Sequence, residues 1–205
     1  MDTIDTIMKN IVNLRIHIAP VGFEIDRIII PATSQKADKV WLIAHDNVSE
    51  DKAVQYREKI EKELEQKGIK TEVAYANRLR LFPIIKTVTD IILKERKNDV
   101  YVNVASGSKI HAIGCMMACM MFDNREKIHP FYAQAEKYPE YDGTLQQTYG
   151  VAEVYPLPTY RIGTPKPELI KAMDIIKKAG GRIQKKKMAE AVSYTHLTLP
   201  TNREV

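Results

Sequence analysis

The chain has 205 residues, a formal net charge of +5 and 44% hydrophobic residues, which is the composition of an ordinary globular protein. No apolar run reaches the roughly 18 residues that a membrane span requires, and the N-terminal residues lack the basic and apolar regions of a signal peptide. These features predict a cytoplasmic protein without membrane association, in which Cys115 and Cys119 are reduced core thiols and not a disulfide or a metal site.

Short apolar runs alternate with helical patterns along the first 135 residues. Strands are predicted at 14–19, 39–46, 70–76, 99–104 and 127–133. Helices are predicted at 20–37 with a break near Pro31, at 50–68 ending at Gly68, at 81–97 with Pro83 in the first turn, and at 109–122. This alternation predicts right-handed crossovers in an α/β protein, with a Rossmann-like, doubly wound, mostly parallel sheet.

The pattern changes after this region. Asp142-Gly143 and the alternating residues after it predict a β-hairpin or added edge strands over 141–158. Four prolines in 156–167 indicate a linker, and a helix at 167–179 precedes a Gly-Gly turn and the start of a second helix. The predicted organisation is a Rossmann-like domain at 1–155, a linker at 156–167 and a short helical segment at 168–191.

The positive charge is concentrated near the C-terminus. Residues 161–191 carry nine lysines and arginines against three carboxylates. Such a segment suits either a surface that faces nucleic acid or a solvated basic helix face, and charge alone leaves both interpretations open.

Residues 192–205 interrupt the helical pattern with strand-like and turn residues. Val192–Thr201, "VSYTHLTLPT", is similar to the in-frame translation of a transposase mosaic-end adapter used for sequencing libraries. We therefore expect adapter read-through at 192–205 and a natural protein that continues beyond Ala191.

Two strand-to-helix turns are candidates for an anion site. Gly22 in "HIAPVGFEIDR" permits a tight turn after the first strand, and "NVASGSK" places Ser106–Lys109 at a helix N-terminus after the fourth strand. The second turn suits either a phosphate cradle or a purely structural turn with Ser108 as N-cap. Dinucleotide, P-loop and GxSxG motifs are absent from the sequence, and His17, His45 and His111 fit hydrogen-bonded rim positions better than catalytic ones.

The first-strand loop, the "NVASGSKIHAIG" turn and the basic C-terminal helix pair together resemble the CARF (CRISPR-associated Rossmann fold) family. Within that family, the combination is similar to archaeal transcriptional regulators that carry a C-terminal winged helix-turn-helix. The resemblance implies a homodimer whose two-fold axis holds a small nucleotide ligand, with cyclic oligoadenylate as the expected class and no other cofactor. The residues that the resemblance places on the ligand are Pro20, Val21, Gly22, Asn103, Ser106, Gly107, Ser108 and Lys109.

The resemblance also implies DNA binding in the full-length protein. Arg182, Lys185, Lys186 and Lys187 are expected to contact phosphates, while the recognition helix and wing are missing from this chain. The leading interpretation is a ligand-sensing transcriptional regulator without enzymatic activity. The alternatives are a ring nuclease that cleaves cyclic oligoadenylate through Ser106, Ser108, Lys109 and His17, and a dimeric scaffold that binds no small molecule.

Overall fold

The computed structural model describes residues 13–122, 126–140, 146–160, 163 and 167–184. The chain divides into two compact units, Met1–Ile162 and Gly163–Val205. Among the described helices, none is both long enough and apolar enough to cross a membrane.

A six-stranded sheet in the order β3-β2-β1-β4-β5-β6 forms the centre of the first unit. The strands are β1 Arg15–Pro20, β2 Lys39–His45, β3 Lys70–Ala76, β4 Asp99–Asn103, β5 Ile128–Gln134 and β6 Glu153–Pro156. The first five are parallel, and β6 pairs antiparallel with β5. The predicted Rossmann-like, mostly parallel sheet is therefore confirmed, and β6 is an added edge strand of the kind expected within 141–158.

Four helices of this unit accompany the parallel strands. They are α1 Asp26–Ser34, α2 Val54–Gln66, α3 Leu81–Lys94 and α4 Lys109–Met120. Gly68 follows α2 with φ +74°, as expected of a helix-terminating glycine, and Pro83 lies in the first turn of α3.

The two larger apolar clusters among the described residues hold the helices against the sheet. Ile84, Val88 and Ile92 of α3 belong to one buried cluster with Ile16 and Ile18 of β1. The other cluster joins α1 and α2 to β2; its members include Ile28, Ile60, Leu64, Val40 and Leu42. Central strands buried on both faces require nearly continuous apolar runs, and "KVWLIAH" of β2 is such a run.

Helix α1 continues through Pro31, so the predicted break near this residue is wrong. A proline has no N–H, and the carbonyl oxygen of Arg27 therefore loses its helical donor. The side-chain Nδ2 of Asn103, at the end of β4, donates to this oxygen at 2.7 Å, and Asn103 Oδ1 accepts from the N–H of Ala105 at 2.8 Å. A buried amide from a distant strand thus replaces the missing bond.

The order of the strands reverses between β1 and β4. From β1 the chain moves outward to β2 and β3, and from β4 it moves outward in the opposite direction to β5. The loops that follow β1 and β4 therefore run in opposite directions along the sheet. A crevice forms between them at the carboxyl ends of the strands. Both predicted turns lie at this point.

The second unit contains one described helix, α5 Pro167–Lys178, close to the predicted 167–179. Leu169, Ile170 and Met173 are exposed on it, while Ala172 is buried. The predicted second helix lies mostly outside the described residues, as do Lys185, Lys186, Lys187 and the expected adapter segment 192–205.

The Asn103–Arg27 bond can be tested with a double-mutant cycle. Asn103→Ala should lower the free energy of unfolding by about 2–3 kcal/mol, because it leaves a buried carbonyl oxygen and a buried N–H without partners. In a Pro31→Ala background the loss should be smaller, since a backbone N–H at position 31 can reach the oxygen of Arg27. Urea unfolding of the four proteins gives the coupling energy, and simple additivity would contradict this account.

Candidate functional site

The backbones of the two turns touch at a pair of glycines. A Cβ added to Gly22 would lie 2.9 Å from the Cα of Gly107, and a Cβ added to Gly107 would lie 2.8 Å from the Cβ of Pro20. Gly107 also has φ +76°, a conformation that side chains with a Cβ rarely adopt. Only glycine at both positions allows the loop after β1 and the turn after β4 to approach this closely.

The turn after β4 begins helix α4 with a reciprocal cap. Ser108 is the N-cap, and its Oγ accepts from the N–H of His111 at 3.4 Å. In return, Nδ1 of His111 accepts from the N–H of Ser108 at 3.2 Å and lies 2.9 Å from Ser108 Oγ. The N-cap role foreseen for Ser108 is confirmed, with a histidine in the place that glutamate or glutamine usually takes.

The imidazole of His111 is neutral near pH 7. Burial, aided by the nearby charges of Arg78 and His45, lowers the pKa of His111 to about 4. Because Nδ1 accepts from an N–H, the single ring proton is assigned to Nε2. That nitrogen is buried and has no hydrogen-bond partner within the described part of the chain.

An open cleft of about 670 Å³ lies above the two turns. Five of the predicted ligand residues line it: Val21, Gly22, Gly107, Ser108 and Lys109. The other lining residues are Phe23, Lys52, Arg78, Leu79, Ile110, His111 and Gln147. The structure therefore brings the two predicted turns together on one surface.

Three of the predicted ligand residues lie beneath this surface and are not part of the lining. Pro20 ends β1 and packs under Gly107, while Asn103 is 1% exposed and has both amide atoms engaged. Ser106 is also 1% exposed, and its Oγ has no partner among the described residues. In this structure Pro20 and Asn103 support the turns from below.

Sequence reasoning missed Lys52 and Arg78, which follow β2 and β3. Neither lies in a recognisable motif. The rule that ligands bind at the carboxyl ends of parallel strands could have indicated them, because the loops after all the parallel strands meet at one edge. Together with Lys109 they provide three cations, and the described lining includes no carboxylate.

Residues 146–150, which we call the strap, fold back onto the loop after β1. Helix α1 has no side-chain cap of its own, and Oε1 of Gln146 accepts from the N–H groups of Ile25 and Asp26 at 2.9 and 3.0 Å. The N–H of Gln147 donates to the carbonyl oxygen of Phe23 at 2.8 Å. The strap thus fixes the loop whose residues line one side of the cleft.

A buried ion pair lies under the strap. Nη1 of Arg27 donates to Glu24 Oε1 at 2.8 Å, and Nε of Arg27 donates to the carbonyl oxygen of Ala133 at 2.7 Å. Burial raises the pKa of Glu24. The charge and hydrogen bond of Arg27 and a hydrogen bond from Thr148 lower it. The pair ties α1 to β5 and to the strap.

Of the residues expected to contact DNA, Arg182 lies within the described residues and is exposed. Lys185, Lys186 and Lys187 lie outside them. The structure consequently gives no geometry for a DNA-binding surface.

Glycine is required here for two reasons, a positive φ and the close contact between the turns, and alanine substitutions can separate them. Gly68→Ala adds a Cβ at positive φ in open space and should cost about 1 kcal/mol of unfolding free energy. Gly22→Ala adds the steric conflict without positive φ, and Gly107→Ala adds both, so Gly107→Ala should cost the most, about 3 kcal/mol or more. Urea unfolding followed by fluorescence of Trp41, the single tryptophan, measures these costs. Equal losses at Gly68 and Gly107 would show that the contact between the turns is unimportant.

Comparison with known proteins places the chain in a family. Residues 15–138 match the family model described as "HFX_2341_N:-like, N-terminal". Uncharacterized protein MJ1513 of Methanocaldococcus jannaschii is 31% identical over 194 residues, which cover 82% of this chain and 57% of that protein. The chain thus spans little more than half the length of this relative.

Solved structures with a similar backbone are more distant. Enterococcus italicus Csm6 bound to cyclic hexa-2′-fluoro-hexa-dAMP has a TM-score of 0.49 and 11% identity, over 62% of this chain and 35% of Csm6. Can2 from Sulfobacillus thermosulfidooxidans in complex with cyclic tetra-adenylate has a TM-score of 0.49 and 12% identity, over 87% of this chain and 57% of Can2. The family model matches residues 15–138, which are more than half of this chain. The chain therefore belongs to the HFX_2341_N:-like, N-terminal family.

Proposed function

We propose that the first unit is a CARF-like sensor domain that binds an anionic nucleotide, of the cyclic oligoadenylate class, in the cleft above Gly22 and Gly107. The observation that carries this proposal is the exposure of the N-terminus of α4 beside Lys109 in a cleft whose described lining has no carboxylate. The first N–H groups of a helix lack acceptors within the helix, and they favour phosphate oxygens. Lys109 adds a full positive charge at the same place.

The choice of cyclic oligoadenylate follows from the resemblance of "NVASGSKIHAIG" to the CARF ligand-binding turn. A ring of phosphates requires several donors that do not depend on base identity, and backbone N–H groups with lysine side chains meet this requirement. The apolar side chains of Leu79 and Ile110 in the same cleft provide surfaces for the bases and sugars.

We propose further that two copies of the chain pair through the surface beside the cleft. Leu79 and Phe82 are 73% and 79% exposed at the start of α3, and Ile113 on α4 is 49% exposed. Helix α4 is apolar on nearly all sides, which is typical of a helix covered on both faces. A second copy on this surface would bury these side chains and bring two clefts together.

In this proposal the second unit is the start of a DNA-binding region in a transcriptional regulator. Its described helix α5 ends with Lys177 and Lys178, and Arg182 is exposed just beyond it. A ligand at the dimer axis would change DNA binding if its affinity differs between two dimer states, and this differential affinity is the coupling energy.

Ring-nuclease activity is the second candidate, and one contact favours it. Ser108 Oγ lies 2.9 Å from Nδ1 of the neutral His111, so the pair could in principle transfer a proton. The same Nδ1, however, accepts from the N–H of Ser108, and the contact is part of the helix cap. We therefore propose binding without cleavage.

Calorimetric titration of the chain with cyclic tri-, tetra- and hexa-adenylate tests the sensor function. We expect one ring to bind per dimer and to remain intact on prolonged incubation. Lys109→Ala should weaken binding about tenfold or more, because it removes a charge-assisted contact. Lys97→Ala, an exposed lysine before β4 at the opposite edge of the sheet, is the matched control. Failure of all three rings to bind would refute the ligand class, and release of linear products would favour the nuclease.

Analytical ultracentrifugation tests the pairing surface. Phe82→Ser should weaken the dimer by about tenfold or more, since it removes a large apolar side chain from the interface. Leu93→Ser, at an apolar residue that is 50% exposed at the opposite end of α3, should leave the dimer unchanged. A monomeric wild-type protein at all concentrations would contradict the proposed pairing.

A further inference from the structure

The far half of the cleft is formed by residues outside both predicted turns. Lys52 lies between β2 and α2, and Arg78 and Leu79 lie between β3 and α3. These two loops leave strands on the other side of β1 from the "NVASGSK" turn. The cleft therefore continues from the N-terminus of α4 towards a second positively charged region.

Arg78 is held in position but is not neutralised by a close partner. Its Nη1 is 3.9 Å from Oδ1 of Asp51, at the outer limit for an ion pair. The same Oδ1 accepts from the N–H of Ala53 at 2.9 Å, which anchors the carboxylate to the start of α2. This arrangement orients the guanidinium and leaves most of its hydrogen-bonding capacity for another anion.

His111 connects the two charged regions. It lines the cleft, is 2% exposed, and carries its ring proton on an Nε2 without a partner among the described residues. Arg78 is close enough for its charge to lower the pKa of this imidazole. The imidazole thus lies close to both Ser108 and Arg78, beneath the surface that a ligand would touch.

We infer that the cleft binds two anionic groups of one ligand, the first at the N-terminus of α4 with Lys109 and the second at Lys52 and Arg78. This inference rests on the proposed nucleotide-binding function and deepens it by naming the residues that hold a second phosphate group. Three cations in one cleft repel each other in the empty protein, and a ligand with two phosphates relieves that repulsion better than one phosphate can.

The test compares two arginines of the same loop. Arg78→Gln removes the proposed second contact, whereas Arg80→Gln removes an exposed arginine that does not line the cleft. The full chain is titrated with cyclic tetra-adenylate and with inorganic tripolyphosphate, a probe that needs no ring or base. Arg78→Gln and Lys52→Gln should each weaken binding of both probes about tenfold or more and reduce its salt dependence, and Arg80→Gln should leave both unchanged.

A second readout follows His111 directly. On addition of tripolyphosphate, the ¹⁵N resonances of its ring should shift in the wild type and in Arg80→Gln, since anionic groups arrive on both sides of the imidazole. The inference is overturned if Arg78→Gln and Arg80→Gln bind alike, or if neither probe binds.

The outcomes separate this inference from the proposed function. Binding of cyclic tetra-adenylate that depends on Lys109 but not on Arg78 or Lys52 would leave the sensor function standing and refute the second anion position. Binding of tripolyphosphate that depends on both regions, without binding of any cyclic oligoadenylate, would support two anion positions and refute the ligand class.

Discussion

The close approach of Gly22 and Gly107 is the constraint on which the rest of the site depends. It occurs where the strand order reverses, so it joins a loop that leads to one side of the sheet with a turn that leads to the other. With the turn held there, Ser108 and His111 can cap α4, and the N-terminus of α4 opens into the cleft. Cleft shape and helix cap therefore follow from a backbone contact, and the charged side chains are arranged around it.

Helix α1 shows a related dependence on distant partners. It contains Pro31 and has no side-chain cap of its own, two features that weaken an isolated helix. Asn103 supplies the donor lost at the proline, and Gln146 supplies the acceptor for the first N–H groups. Helix α1 is consequently held by β4 in its first turn and by the strap at its N-terminus, next to the loop that lines the cleft.

Much of the fold could be predicted from the sequence because periodicity and turn residues are local signals. Alternating strands and helices, the terminating Gly68 and the N-cap at Ser108 all depend on neighbours within a few positions. The continuation of α1 through Pro31 could not be predicted, since the compensating amide of Asn103 comes from β4. Lys52 and Arg78 could not be predicted as cleft residues for the same reason. Their position in the cleft depends on the order of the strands, which no short motif encodes.

The glycine pair also limits which substitutions the cleft can accept. A side chain at either position would force two backbones apart, so positions 22 and 107 can change only together with the path of both turns. The charged residues that face the cleft, Lys52, Arg78 and Lys109, are under no such restriction. Exchange of these side chains can therefore alter what the cleft binds while the two glycines, and with them the paths of both turns, stay the same.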